Sequence, residues 1–358
     1  MPLIAVLSNP NSNGNRRHLP RIREFCAGRP DVMSVEVPSL AALRPALDRI
    51  VAAEPDVLVI NGGDGTIQAV LTEIHAGDMW NRKFPPIAIM PGGRTNLIAK
   101  DMGAGGSLVQ VLERVIDLTE RGLGDHVSTR QLISLSTGEG ERPTYGMFLA
   151  AGWLADIMLW CRHKLYSTGM PTWLAHFITL FGGLISVVTG WGARFLPPPP
   201  EEADISVGGR KMRARYQVLM VSTLQALVLW GKAPPSWPGT LCLISLEAKR
   251  SSVARAVWAV LTGKLGREAI PGVGLTPGNE IRFGEAITNV IMDGESFTAK
   301  PGETITLRPS PSMRFVDLRS RVRAAASFTD ETPGYVTARN NPAAVSSLSD
   351  ARAHSRHR

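Results

Sequence analysis

A β-branched run, Asp56-Val57-Leu58-Val59-Ile60, leads into Gly62-Gly63-Asp64-Gly65-Thr66 and then into Ile67, Val70, Leu71 and Ile74. The last four recur at the i, i+3, i+4, i+7 spacing of one helix face, so the segment predicts strand, glycine loop and helix in immediate succession. The same pattern surrounds it. Residues 3–7 and 32–37 read as strands, and Leu40, Leu43, Leu47 and Ile50 recur at helical spacing. Pro86-Ile87-Ala88-Ile89-Met90 is another buried-strand run with Pro91-Gly92-Gly93 as its turn, and Ser107 reads as the cap of a helix carrying Leu108, Val111, Leu112 and Val115. Such an alternation predicts an α/β, Rossmann-like domain with a parallel sheet, right-handed crossovers and loops gathered at the carboxyl ends of the strands.

Beyond about residue 125 the texture changes to short β-rich runs separated by Gly and Pro. Residues 205–212, with Gly208-Gly209 at the centre, read as a tight hairpin, and 216–222, 241–246, 280–283, 289–292 and 304–307 read as strands. A second, antiparallel β-rich domain of sandwich-like form is therefore expected. At 358 residues the chain exceeds what one core usually absorbs, and the expected division is 1–125, 126–318 and a disordered Ala-, Ser- and Arg-rich tail, 319–358. A content of 44% hydrophobic and 20% charged residues excludes a disordered, collagen-like or coiled-coil protein. The three cysteines lie far apart without a Cys-x-x-Cys or Cys/His cluster, which predicts neither a disulfide framework nor a structural zinc site and fits a reducing compartment. The apolar run at the amino terminus is too short for a signal-peptide core and reads as a buried first strand.

Gly62-Gly63-Asp64-Gly65-Thr66 is the strongest chemical signal. Glycines between a buried strand and a helix start let backbone N–H groups approach phosphate oxygens, and the helix amino end adds a favourable partial charge. A carboxylate would repel phosphate, so Asp64 fits there as a holder of Mg²⁺ or as a proton acceptor. The plain alternative is an ordinary βα turn with Asp64 as a helix cap. Pro91-Gly92-Gly93-Arg94-Thr95-Asn96 follows the next strand, where Arg94 can neutralise a polyphosphate and Asn96 can bond to phosphate or ribose. Residues 9–15 follow the first strand, with Arg16 and Arg17 just after. Three loops from three strand ends predict one nucleotide site, although each alone reads equally as a solvated turn and residues 16–23 as an exposed helix face. A net charge of +8 favours anionic partners without choosing among them.

Gly62 to Thr66, the 91–96 loop, the Asn9-Pro10 start and a late Met292-Asp293-Gly294-Glu295 together resemble the bacterial type of the diacylglycerol-kinase-type lipid kinase family, which includes sphingosine and ceramide kinases. The resemblance runs from Leu3 to about Leu318. It implies an ATP-binding first domain, a lipid-binding β domain and a Mg²⁺-dependent transfer between them. It makes Asn9, Ser12, Gly62, Gly63, Gly65, Thr66, Gly93 and Asn96 nucleotide contacts, to which the charge of Arg94 adds one more, and it makes Asp64 the magnesium-associated or catalytic acid and Glu295 the base for a lipid hydroxyl, with Asp293 beside it. Phosphoryl transfer needs positioning and charge neutralisation above all, which suits those roles. Asp293-Gly294-Glu295 also reads as a plain hairpin turn. The chain departs from the family pattern at Asn13, where glycine is usual, at Gln68-Ala69, at Arg94, and at residues 233–241, whose usual acids for a second magnesium are missing. The acceptor is left open between diacylglycerol, ceramide and another two-chain lipid.

Residues 165–193 carry no Asp, Glu, Lys or Arg but include Trp173, Phe177, Phe181 and Trp191. Gly182-Gly183, Pro171 and Gly190 argue against a straight membrane span, leaving partial insertion at a bilayer surface or packing within the β domain. The resemblance implies a cytoplasmic protein in peripheral contact with the inner membrane surface, with a homodimer as an open alternative. Rival readings are an NAD-kinase-like kinase of a soluble acceptor and a non-catalytic nucleotide-binding regulator. A nucleic-acid partner is not expected, because the basic residues are scattered and no aromatic platform accompanies them.

Overall fold

The computed structural model describes residues 2–76, 84–164, 182–184, 189, 197–225, 239–265 and 268–319. The chain from Met1 to Arg319 forms one unit. The tail from residue 320 and most of the uncharged 165–193 stretch, including Trp173, Phe177, Phe181 and Trp191, lie outside the described residues. No helix among the described residues is long and apolar enough to cross a membrane.

The first sheet has the order β2-β1-β3-β4-β17-β5, formed by Val32–Glu36, Ile4–Ser8, Val57–Gly62, Ile87–Pro91, Met313–Val316 and Val127–Arg130. β1 and β3 are buried along their whole length. They pair in parallel, Ile4 opposite Val57, as strands covered on both faces do. β1 sits between β2 and β3, so the chain leaves it in one direction and returns past it in the other. Right-handed crossovers then place α1 (Asn15–Ala27) and α2 (Leu43–Ala52) on opposite faces. α1 packs beside α5 (Leu108–Glu120), and α2 beside α3 (Asp64–Ala76). Ser107 starts α5 as the sequence predicts. Its hydroxyl accepts from the Gln110 N–H at 3.3 Å, and the Gln110 side chain accepts from the Ser107 N–H at 2.9 Å. The sheet is completed by two strands from outside the βα series: β17 runs parallel to β4, and β5 lies antiparallel beside it.

The remaining strands form one eleven-stranded antiparallel sheet. Its long strand β10 (Arg210–Ser222) belongs to both halves. The Arg210 to Arg215 part pairs with β9 (Glu202–Val207) through a turn at Gly208-Gly209, where both φ angles are positive, while the Tyr216 to Ser222 part pairs with β11 (Leu241–Glu247) and β8 (Phe148–Ala151). The sheet turns over along this strand. Ile205, Leu149, Leu243, Phe283, Met292 and Leu307, drawn from both halves, close into a single buried cluster. An α/β parallel-sheet layer and an antiparallel, sandwich-like β layer are thus both present.

Candidate active site

The loops that leave β1, β3 and β4 lie side by side at the carboxyl ends of adjacent strands, where open α/β sheets place ligands. Hydrogen bonds join them. Asn9 donates its side-chain amide to Thr66 Oγ1 at 2.8 Å, and Ser12 Oγ accepts from the Gly63 N–H at 3.3 Å while lying 3.4 Å from the same Thr66 hydroxyl. The Gly14 N–H reaches the Gly92 carbonyl at 3.0 Å. Beneath them Asn15 is fully buried and donates to the carbonyls of Asn9 and Asn61 at 2.8 and 3.0 Å. Asn15 escaped the sequence reading because, among four asparagines within seven residues, nothing in the pattern separates a buried one from solvated ones.

Gly63 and Gly93 meet so closely that a Cβ on Gly93 would fall 2.4 Å from the Gly63 Cα. Only glycine at residue 93 permits that approach of two phosphate-type loops. Asn96 holds the second loop. In a left-handed conformation (φ +54°), it accepts from the Gly93 N–H at 2.7 Å and donates to the Gly93 carbonyl at 3.0 Å. Both ends of its side-chain amide thus help to shape the loop.

Asp64 points across to the same loop. Its carboxylate accepts from the Leu97 and Ile98 N–H groups at 3.3 and 3.2 Å, at the start of α4 (Leu97–Asp101). Burial pushes this carboxyl above its usual range, against the opposing pull of those N–H groups and Lys100. Two lone pairs are engaged and the others remain available as oxygen donors. Asp64 is thus a cap, as its plain reading had it, but for α4 and not for the helix it begins.

The Asp-Gly-Glu segment is the turn of a hairpin between β14 (Asn289–Met292) and β15 (Glu295–Thr298), with Asp293 and Gly294 both at positive φ. Asp293 faces inward. It is buried, and its two oxygens accept from the Met147 and Phe148 N–H groups, each at 2.9 Å. Burial, reinforced by the nearby Asp64 charge, raises its carboxyl to about 7. Glu295 is exposed and rests against the glycine loop, since a Cβ on Gly65 would lie 2.7 Å from Glu295 Oε1. Gln68 fixes this meeting. It is buried on α3 and donates its amide to the Met292 carbonyl at 3.0 Å, so α3 carries the glycine loop at its start and grips the hairpin one turn later.

A cleft of about 430 Å³ is lined by Asn13, Gly14, Arg16, Arg17, His18, Gly93 and Arg94. Three guanidiniums, amide donors and no carboxylate suit phosphate oxygens. Arg16 and Arg17, readable as a solvated helix face, here share the rim with Arg94.

The comparisons with known proteins agree with this architecture. The family model of the diacylglycerol kinase catalytic domain matches residues 4–123. A solved structure named "a putative diacylglycerol kinase from Bacillus anthracis str. Sterne" is similar with a TM-score of 0.58 and 16% identity, covering 87% of this chain and 97% of its own. A second, of a diacylglycerol kinase from the same organism, has a TM-score of 0.55 and 13% identity over 88% of this chain and 94% of its own. At such identities they establish a shared fold. No curated protein matches the sequence. The family match thus spans the three loops, with residues 4–123 similar to the diacylglycerol kinase catalytic domain, and the shared fold continues through the β layer.

Proposed function

We propose that the protein is an ATP- and Mg²⁺-dependent lipid kinase that phosphorylates a hydroxyl of a two-chain lipid, diacylglycerol or ceramide, drawn from the inner membrane surface. The observation that carries this reading is the contact of Glu295 with Gly65, which sets the carboxylate of the β layer directly on the phosphate loop of the α/β layer. Arg16, Arg17 and Arg94 would receive the polyphosphate of the nucleotide, and the N–H groups of the Gly62 to Gly65 loop would line its other side. The donor set fits a magnesium ion that travels with the nucleotide: Asp64 keeps free lone pairs beside the loop, and Mg²⁺ is usually held by one or two carboxylates with phosphate oxygens and water. When bound, the ion supplies neutralisation of the phosphate charge.

Glu295 would accept the proton of the attacking hydroxyl as its oxygen bonds to the γ-phosphorus and the bond to the leaving ADP oxygen breaks. Asp293 touches neither reactant. Its oxygens tie the hairpin turn to Met147 and Phe148, which makes it a positioning residue for Glu295. The test is radiolabelled phosphate transfer to diacylglycerol, ceramide, a sphingoid base, monoacylglycerol and NAD. Transfer to a two-chain lipid, lost in Glu295→Gln, is the expected result. Transfer to NAD alone, or to none of the five, would overturn the reading.

A further inference from the structure

Trp258 and Leu261 are each 67% exposed, and they stand three residues apart on one face of α7 (Arg250–Leu261). The opposite face of α7 buries Ser252, Val253, Ala256 and Ala259. Val253 and Ala256 pack on Leu246 of β11. The helix is therefore firmly seated, and its outward Trp and Leu are not there for the core. β12 (Val273–Gly278) carries a further exposed apolar side chain on this side of the sheet. Leu275 is 47% exposed and pairs with Ile244, so it lies on the same sheet face as α7. Leu40 is the one other large apolar side chain of comparable exposure among the described residues, and it lies far away in sequence, just before α2.

Basic residues frame the patch. Residues 247–268 hold five Lys or Arg against two Glu. Lys249 pairs with Glu247 and Lys264 with Glu268, while Arg250 and Arg255 have no ion pair among the described residues. Arg255 stands three residues before Trp258, hence beside it on the exposed face. A Trp-Leu pair rimmed by arginines without an ion pair among the described residues complements a surface that is apolar beneath and anionic at the headgroups. The indole suits that boundary, with an apolar body and one N–H donor. The position also fits. In the sheet, β11 is separated from the β14 hairpin strand by β10 and β8, three strand spacings or roughly 14 Å, well within the reach of one two-chain lipid.

We propose that the exposed face of α7, through Trp258 and Leu261 with Arg250 and Arg255, docks the protein on an anionic lipid bilayer. The choice of a bilayer rests on the lipid-acceptor reading above and adds to it the surface that meets the membrane. The test is sedimentation of the full chain with vesicles, in the absence of nucleotide. Vesicles of equal phosphatidylglycerol and phosphatidylcholine should bind the protein, and phosphatidylcholine alone should bind it at least tenfold more weakly. Trp258→Ser/Leu261→Ser should weaken binding to the anionic vesicles at least tenfold with an unchanged melting temperature, as should Arg250→Glu/Arg255→Glu. Leu40→Ser should bind like the parent protein. Equal binding by the parent and Trp258→Ser/Leu261→Ser would overturn the proposal. So would a parent protein that is dimeric by sedimentation velocity and becomes monomeric in that variant, because the face would then be covered by a second copy. Vesicle binding without phosphate transfer to any lipid would count against the kinase reading and leave the docking face standing.

Discussion

Glu295 Oε1 lies where it would be only 2.7 Å from a methyl group on Gly65, so the Asp-Gly-Glu hairpin and the glycine loop are spaced to the width of one glycine. The atom that such a methyl group would meet is the end of a flexible, exposed side chain, which can swing aside at little energetic cost. Gly65→Ala should therefore fold with a melting temperature close to that of the parent protein. On the proposed role of Glu295 as proton acceptor, kcat should fall by about two orders of magnitude, because a displacement of about 1 Å costs on that scale. Gly93→Ala is the contrast. There the new methyl group meets the Gly63 backbone, which cannot swing away, and the expected result is a loss of roughly 1–3 kcal/mol in stability, read by denaturant unfolding.

Asp64 joins two loops through the Leu97 and Ile98 N–H groups, so its removal has a structural as well as a chemical effect. In Asp64→Asn one oxygen still accepts, but the amide group faces a backbone N–H that has lost its acceptor. That should destabilise the protein by about 1–3 kcal/mol. Transfer should fall far more than this loss explains, by several orders of magnitude at a temperature where the variant is fully folded. Turnover within tenfold of the parent would reduce Asp64 to a helix cap.

The strand–loop–helix series was legible because its signals are local. The apolar spacing of Ile67, Val70, Leu71 and Ile74, the Ser107 cap and the turn at Gly208-Gly209 each depend on neighbours a few residues away. What the sequence could not display are links between distant segments. Gln68, which reads only as a departure from the family's pattern, meets Met292 across 224 positions. Asp293 meets Met147 across 146, and the final strand of the first sheet comes from residues 313–316. A side chain's partner in such a link is set by how the two layers pack, and no periodicity records it. Asn96 shows the same limit at short range: its residue type carries no sign that a left-handed backbone turns its amide onto Gly93 and so shapes the loop.

If the proposed nucleotide sits in the cleft lined by Arg16, Arg17 and Arg94, its charge falls to specific side chains. A charge-assisted hydrogen bond contributes about 1.5–3 kcal/mol, equivalent to a factor of ten or more in binding. Arg94→Ala and Arg16→Ala should each raise the KM for ATP by about tenfold while changing kcat much less, and the effect should shrink in high salt. Titration of initial rates against ATP at fixed lipid would show it. A rise confined to the KM for lipid would place these arginines at the acceptor.

Asp293 gives the protein a pH signature of its own. Its carboxyl, near 3.8 when unfolded, is raised to about 7 in the fold, chiefly by burial and further by the charge of Asp64. Between those two values the folded state binds more protons than the unfolded one, so this group's contribution to stability is greatest below about pH 4 and is lost as the pH rises toward 7. Above 7 the buried carboxylate is charged in both states and its contribution no longer changes. Asp293→Asn cannot ionise and should flatten that part of the profile, while its overall stability falls because an amide cannot accept from both Met147 and Phe148. Urea unfolding of the parent and the variant between pH 4 and 8 separates the two effects: the vertical offset reports the lost hydrogen bond, and the difference in slope reports the titration. Parallel profiles would mean that Asp293 stays ionised throughout and that the two N–H groups outweigh its burial.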